Sequence, residues 1–243
     1  MIWRLDKHVA QLEWANLTAT VDAAEPRRGL CQLSIGGVAI RGAELLSLHI
    51  GGPDPCWQVQ LQDCFVRSSS LCTKYHAINT AQCTNGPCSM SLQAVWRPLV
   101  AAHTINGHTP AEPGLELLVL ANCESLECSA TLEVRSRLGE CETAVSVEPA
   151  GPGALLFRLP DGQWSYTQMI HPLDDQGVRV TAYGERGLEV IHPLFATVLE
   201  KGVIWVARLR GLFLARQHDE TIVAHRYAEF AAVPPPLGDR LGD

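Results

Sequence analysis

The sequence predicts an all-β fold: a single-domain antiparallel β-sandwich of two packed sheets over residues 1–233, with an extended or disordered tail at 234–243. Three observations carry this. Apolar or alternating runs recur at roughly 8–12-residue intervals, punctuated by Gly, Pro, Asn and Asp. Hydrophobic residues make up 47% of the 243 and charged residues 19%, enough apolar side chain for a sizeable core. No linker or shift in composition divides the chain.

Residues 11–21 form a candidate first strand, and 29–35 and 38–50 follow with Gly36-Gly37 as a hairpin turn. In 56–67, Trp57, Val59, Leu61 and Phe65 alternate with Gln58, Gln60 and Gln62. That is a half-buried strand with a glutamine-lined outer face. Residues 71–78, 89–97 and 115–121 read as further strands. Over 131–138, Leu132 and Val134 share one face while Glu133, Arg135 and Arg137 share the other, as cross-strand ion pairs would require. A hairpin over 154–170 turns at Pro160-Asp161-Gly162, and 178–183 and 188–191 are short strands. One short helix is predicted at 193–201, with Pro193 in its first turn and Gly202 past its end.

The segment 203–216, VIWVARLRGLFLAR, reads as a long central strand. Its side chains alternate, so Arg208 and Arg210 stand side by side on a face otherwise apolar. Buried guanidinium groups stay charged and require carboxylates, carbonyls or an anionic ligand. Arg208 and Arg210 are therefore candidate ligand-binding residues, with Glu133, Glu189 and Glu200 as alternative protein partners. Trp164, on the same strand face as Tyr166, is a candidate stacking surface for a sugar ring.

A short echo, MIHPL at 169–173 and VIHPL at 190–194, ends two strands at His-Pro. His171 and Asp174, with Asp175 beside them and His192 if the two ends meet, form a candidate acid/base set. The loop histidines His103 and His108 add a weaker signal.

Nine cysteines stand out, four of them in two C-x4-C pairs, Cys83/Cys88 and Cys123/Cys128. A four-thiolate metal site is one reading of these pairs. Reduced, half-buried thiols are the expected state, so no metal and no cofactor is assigned. Nucleophile-elbow, phosphate-loop and dinucleotide motifs are absent.

Net charge is −7 with no basic cluster, which argues against nucleic acid as a partner. No apolar run approaches the ~18 residues of a membrane span, and the charged N-terminal segment lacks a secretory core, so a cytoplasmic location is expected. Together these features predict a non-catalytic binding or assembly module for a carbohydrate-like or anionic ligand. The alternative is a sandwich enzyme of epimerase or mutarotase type using His/Asp acid/base chemistry. The architecture resembles sandwich proteins that bind or isomerise sugars.

Overall fold

A computed structural model describes residues 2–50, 56–80, 88–99, 112–128, 130–146, 153–195 and 198–234. In chain order the strands are β1 (Trp3–Asp6), β2 (Val9–Trp14), β3 (Leu17–Asp22), β4 (Leu30–Ile35), β5 (Val38–Ala39), β6 (Glu44–Ile50) and β7 (Trp57–Arg67). They continue with β8 (Ser70–Asn79), β9 (Cys88–Pro98), β10 (Gly114–Cys123), β11 (Glu127–Cys128), β12 (Leu132–Leu138) and β13 (Thr143–Ser146). The rest are β14 (Ala154–Arg158), β15 (Trp164–Ile170), β16 (Arg179–Tyr183), β17 (Gly187–Leu194), β18 (Leu199–Glu200) and β19 (Ile204–Ala215), followed by the helix α1 (Asp219–Ala232).

These strands build two antiparallel sheets and a ribbon. The nine-stranded sheet runs β1-β2-β3-β4-β6-β12-β17-β16, with β5 beside β4; the eight-stranded sheet runs β13-β14-β15-β19-β10-β9-β8-β7; β11 and β18 pair alone. The all-β sandwich expected from the sequence is the observed fold.

Alternation explains the core. Leu92, Ala94 and Trp96 of β9, Leu117, Val119 and Ala121 of β10, and Ala207, Leu209 and Phe213 of β19 turn inward. From the other sheet they meet Leu48 and Ile50 of β6 and Leu132, Val134 and Leu138 of β12. Period-two burial on facing sheets is what the hydrophobic effect selects in a sandwich. The outer face of the nine-stranded sheet carries an ion-pair ladder. Arg137 Nε donates to Glu189 at 2.8 Å, and Glu133 accepts from Arg135 and Arg179, each at 2.6 Å.

Two elements correct the sequence expectation. The predicted helix at 193–201 does not form: β17 continues through Pro193 to Leu194, and β18 follows at Leu199–Glu200. The physical reason is the register. Pro193 pairs with Glu133 on β12, whereas β16 begins opposite Ile191, so Pro193 lies where β17 has only one strand beside it. A strand tolerates a missing N–H there. His192 keeps the alternation, inward with Val190 and Leu194.

The helix lies instead at α1, inside the stretch that the strand pattern left unassigned. Val223, Tyr227 and Phe230 recur at helical spacing and are buried, while Asp219 and Glu220 sit in the first turn, favoured by the helix dipole. These residues pack with Ala154, Leu156, Met169, Leu212 and Leu214 on the outer face of the eight-stranded sheet. The approach is close enough that a Cβ at Gly153 would overlap the Tyr227 hydroxyl. At the other end of α1, Asp219 accepts from Ser165 Oγ at 2.7 Å and pairs with Arg158 at 3.3 Å.

The span expected as one strand at 11–21 is a hairpin, β2 and β3, turning at Ala15 with φ 53°. The loop with His103 and His108, the Cys83 turn and residues 235–243 of the tail lie outside the described residues. No helix is long and apolar enough to cross a membrane among those described.

Candidate functional site

α1 divides the outer face of the eight-stranded sheet in two. The half over β14, β15 and β19 is covered; over β7 to β10 the face is buried at Cys72, Val95 and Leu118 and open at the end around His76, Ser91 and Asn122. The sequence-predicted residues fall mostly under the cover.

Arg210 donates from Nε to Glu116 at 2.8 Å, and its guanidinium lies 4.2 Å from the Phe230 ring centroid. The register dictates the first contact, because Glu116 of β10 sits directly opposite Arg210. Arg208 is only 2% exposed. It donates from Nη1 to the Val233 and Pro234 carbonyls at 2.9 and 3.1 Å, and Asp174 Oδ2 lies 3.7 Å from Nε. Burial pulls this guanidinium below its usual range, opposed by Asp174 and Glu116. The partners of the arginine pair are thus Glu116, Asp174 and the end of α1, not Glu133, Glu189 or Glu200.

The structure brings His171 and Asp174 together with Arg208. Asp174 accepts the Arg208 backbone N–H at 2.9 Å, and His171 meets the edge of Phe230 at 5.3 Å between centroids. Both side chains are moved from their ordinary titration range: His171 downward, by burial and then by Arg208, and Asp174 upward by burial. His171 is 1% exposed. His192 is not part of this group. It belongs to the other sheet and points into the core. Trp164 is also elsewhere: its ring packs at the edge of the core beside Gly36.

Three of the four paired cysteines converge. The Cys128 thiol hydrogen bonds with Cys88 and Cys123, and burial followed by these neighbours pushes its pKa up. A raised pKa makes a thiol a poor nucleophile and a poor ligand. Among the described residues, no group of three or more His, Cys, Asp or Glu side chains is arranged to hold a metal ion.

The open half holds a cavity of about 410 Å³ that the sequence reading missed. Its floor is two adjacent cross-strand rows. In the first, His76 of β8 lies opposite Ser91 of β9, Ser91 opposite Asn122 of β10, and Asn122 opposite Ile204 of β19. In the second, Lys74, Gln93 and Leu120 follow in the same order, and the row runs on to Val206 of β19, outside the cavity lining. Gln62 of β7 closes one side.

Glu124, just past the end of β10, closes the end. Its carboxylate accepts from Ser91 Oγ, contacts His76 Nε2 at 3.2 Å and accepts from Ser89 Oγ at 3.4 Å. The Ser91 hydrogen bond holds this carboxyl below its ordinary range, assisted by His76 and opposed by partial burial. At neutral pH Glu124 is an anion with an imidazole beside it and a hydroxyl donating to it. Chemically the site offers amide, hydroxyl and carboxylate partners over a partly apolar floor.

The glutamine-lined face of β7 was the available sequence signal. Extending it across the sheet requires the register, which the sequence does not print.

No protein-family model matches the sequence. No curated protein matches it. Solved structures do share the fold. A putative aldose 1-epimerase from Klebsiella pneumoniae subsp. pneumoniae aligns with TM-score 0.54 at 8% identity, over 92% of this chain and 83% of that one. A putative kojibiose phosphorylase from human microbiome aligns with TM-score 0.53 at 9% identity, over 96% of this chain. The aligned part is 33% of that longer protein. At such identity the likeness is one of fold.

Proposed function

We propose that the open half of the eight-stranded sheet binds a small carbohydrate-like ligand. The observation that carries this is the row His76–Ser91–Asn122, closed by Glu124 and joined by Gln62 and Gln93 around one cavity. Polar side chains of both donor and acceptor kind, fixed on a rigid sheet, suit a polyhydroxylated molecule. The names of the two structural neighbours, both taken from sugars, support the same ligand class. The face covered by α1 is a poorer candidate: Arg210 is paired with Glu116, and Arg208, 2% exposed, donates from Nη1 to the Val233 and Pro234 carbonyls with Asp174 beside it, although its Nη2 has no hydrogen-bond partner among the described residues.

The pairing of His76 with Glu124 favours a second reading, in which the same site moves protons on a sugar in the manner of an epimerase or mutarotase. The two groups are 3.2 Å apart and both line the cavity, so both can reach a small substrate held there.

One experiment addresses both. Saturation-transfer NMR with a panel of aldoses and methyl glycosides is expected to detect binding. Ser91→Ala and Gln93→Ala are each expected to weaken it roughly five- to tenfold, the cost of one lost hydrogen bond. A panel that gives no transfer, or affinities that neither variant alters, sinks the binding reading. Polarimetry of a freshly dissolved α-anomer of the sugar bound tests catalysis: faster mutarotation that disappears in Glu124→Gln supports the second reading, and the spontaneous rate leaves binding alone.

A further inference from the structure

We infer that the ligand of the open face is amphiphilic: a glycoside whose sugar lies on β8 and β9 and whose apolar aglycone lies across β10 and β19 to the β11–β18 ribbon. This rests on the carbohydrate reading of the same cavity and adds the chemistry of the other half of the ligand.

The two rows of the floor change character along their length, and they change in the same direction. The first runs His76, Ser91, Asn122, Ile204; the second runs Lys74, Gln93, Leu120, Val206. On β8 and β9 every member is polar. On β19 both are branched aliphatic residues. The change falls at β10, where Asn122 and Leu120 divide it between them.

The apolar end continues past the cavity. Ile204 is 61% exposed, and Val203 just before it 39%. Leu126, on the turn entering β11, is 83% exposed, the highest among the large hydrophobic residues described, and Val198, just before β18, is 44%. These segments adjoin one another: Lys201 N–H donates to the Leu126 carbonyl at 3.2 Å, and Cys123 bridges to Lys201. The end of β10, the ribbon and the start of β19 therefore present aliphatic groups to solvent beside a cavity whose far wall is polar.

Ile204 and Leu126 are large exposed side chains on adjoining segments at the apolar end of the cavity, whereas Val203, next to Ile204 on the strand, alternates to the face of Trp205. Ile204 belongs to both the cavity and the patch, so one molecule can occupy the two together. A free monosaccharide would fill the polar end and leave Ile204 and Leu126 in water. An alkyl or aryl group on the anomeric oxygen would cover them and gain the transfer free energy of each methylene buried.

The test compares methyl and hexyl glycosides of the sugars in the panel, by isothermal titration, with hexan-1-ol as a control. The hexyl glycoside is expected to bind about tenfold tighter or more, given that each buried methylene contributes a factor of about four. The hexyl-to-methyl ratio is expected to fall towards one in Ile204→Asn and in Leu126→Asn; both sites are exposed, so neither change opens the core. Equal binding of methyl and hexyl glycosides overturns the inference and leaves the carbohydrate reading standing. A ratio that neither variant lowers, or hexan-1-ol binding as tightly as the hexyl glycoside, overturns it too. If neither glycoside binds, both readings fall.

Discussion

Replacing Phe230 by alanine is expected to lower the free energy of unfolding by about 3–5 kcal/mol, the range for truncating a buried aromatic ring. Phe230 is fully buried and packs with Met169, Leu212, Val223 and Tyr227. Its ring also lies 4.2 Å from the Arg210 guanidinium, 5.8 Å from that of Arg208 and 5.3 Å from the His171 ring. Removing it leaves a cavity and takes away the face over which a buried and a half-buried cation lie. The same change loosens the end of α1, whose Val233 and Pro234 carbonyls are the hydrogen-bond acceptors of Arg208. Guanidinium denaturation of the wild type and Phe230→Ala measures the loss. Phe230→Leu, which keeps most of the volume, is expected to cost less than half as much. A loss below about 1 kcal/mol for Phe230→Ala would mean that the arginine pair is held by its polar partners, Glu116, Asp174 and the Val233 and Pro234 carbonyls, without the ring.

Alternation and turn residues made most of the fold legible. β7, β10, β12, β14, β15 and β19 lie where period-two burial and Gly/Pro/Asp punctuation place them, because those signals are local. Two of the errors, those over the helix, have a common origin. At 193–201 a proline at a strand end resembles a proline in a first helical turn, and only the length of the neighbouring strand β16 separates the two. At 219–232 the helical signal is a narrow buried stripe, Val223, Tyr227 and Phe230, among charges and alanines, which is enough for a helix lying on one sheet face and little more.

The site was harder to read for the same reason. Arg208 and Arg210 were visible because they interrupt an apolar strand, but their partners, Glu116 and Asp174, are 94 and 34 residues away in sequence. His76, Ser91, Asn122 and Glu124 are unremarkable within their own strands. Only the pairing of β8, β9 and β10 sets them in one row, and that pairing is a property of the whole sheet.

Stability is expected to fall as pH drops from about 6.5 to about 4, and His192 is expected to account for about 2 kcal/mol of the fall by pH 5. His192 is fully buried and neither ring nitrogen has a hydrogen-bond partner. Burial alone lowers its pKa from 6.5 to about 4. The sign follows. Between these values the unfolded chain binds a proton at this histidine and the folded chain does not, so acid favours unfolding. Above pH 6.5 both states are neutral and the penalty vanishes; below about 4 both are protonated and it stops growing. His49, lowered to about 3 by burial and then by Arg135 and Arg137, acts in the same direction over a wider range. His192→Leu keeps an apolar side chain in contact with the core and has nothing to protonate. Its unfolding free energy is expected to depend less on pH than that of the wild type, by about 2 kcal/mol between pH 7.5 and pH 5, with the remaining slope carried by groups such as His49. Denaturant titrations of both proteins at several pH values measure this. Parallel curves would show that His192 is protonated in the folded state near its ordinary pKa, and therefore that a polar partner or water reaches it inside the sandwich.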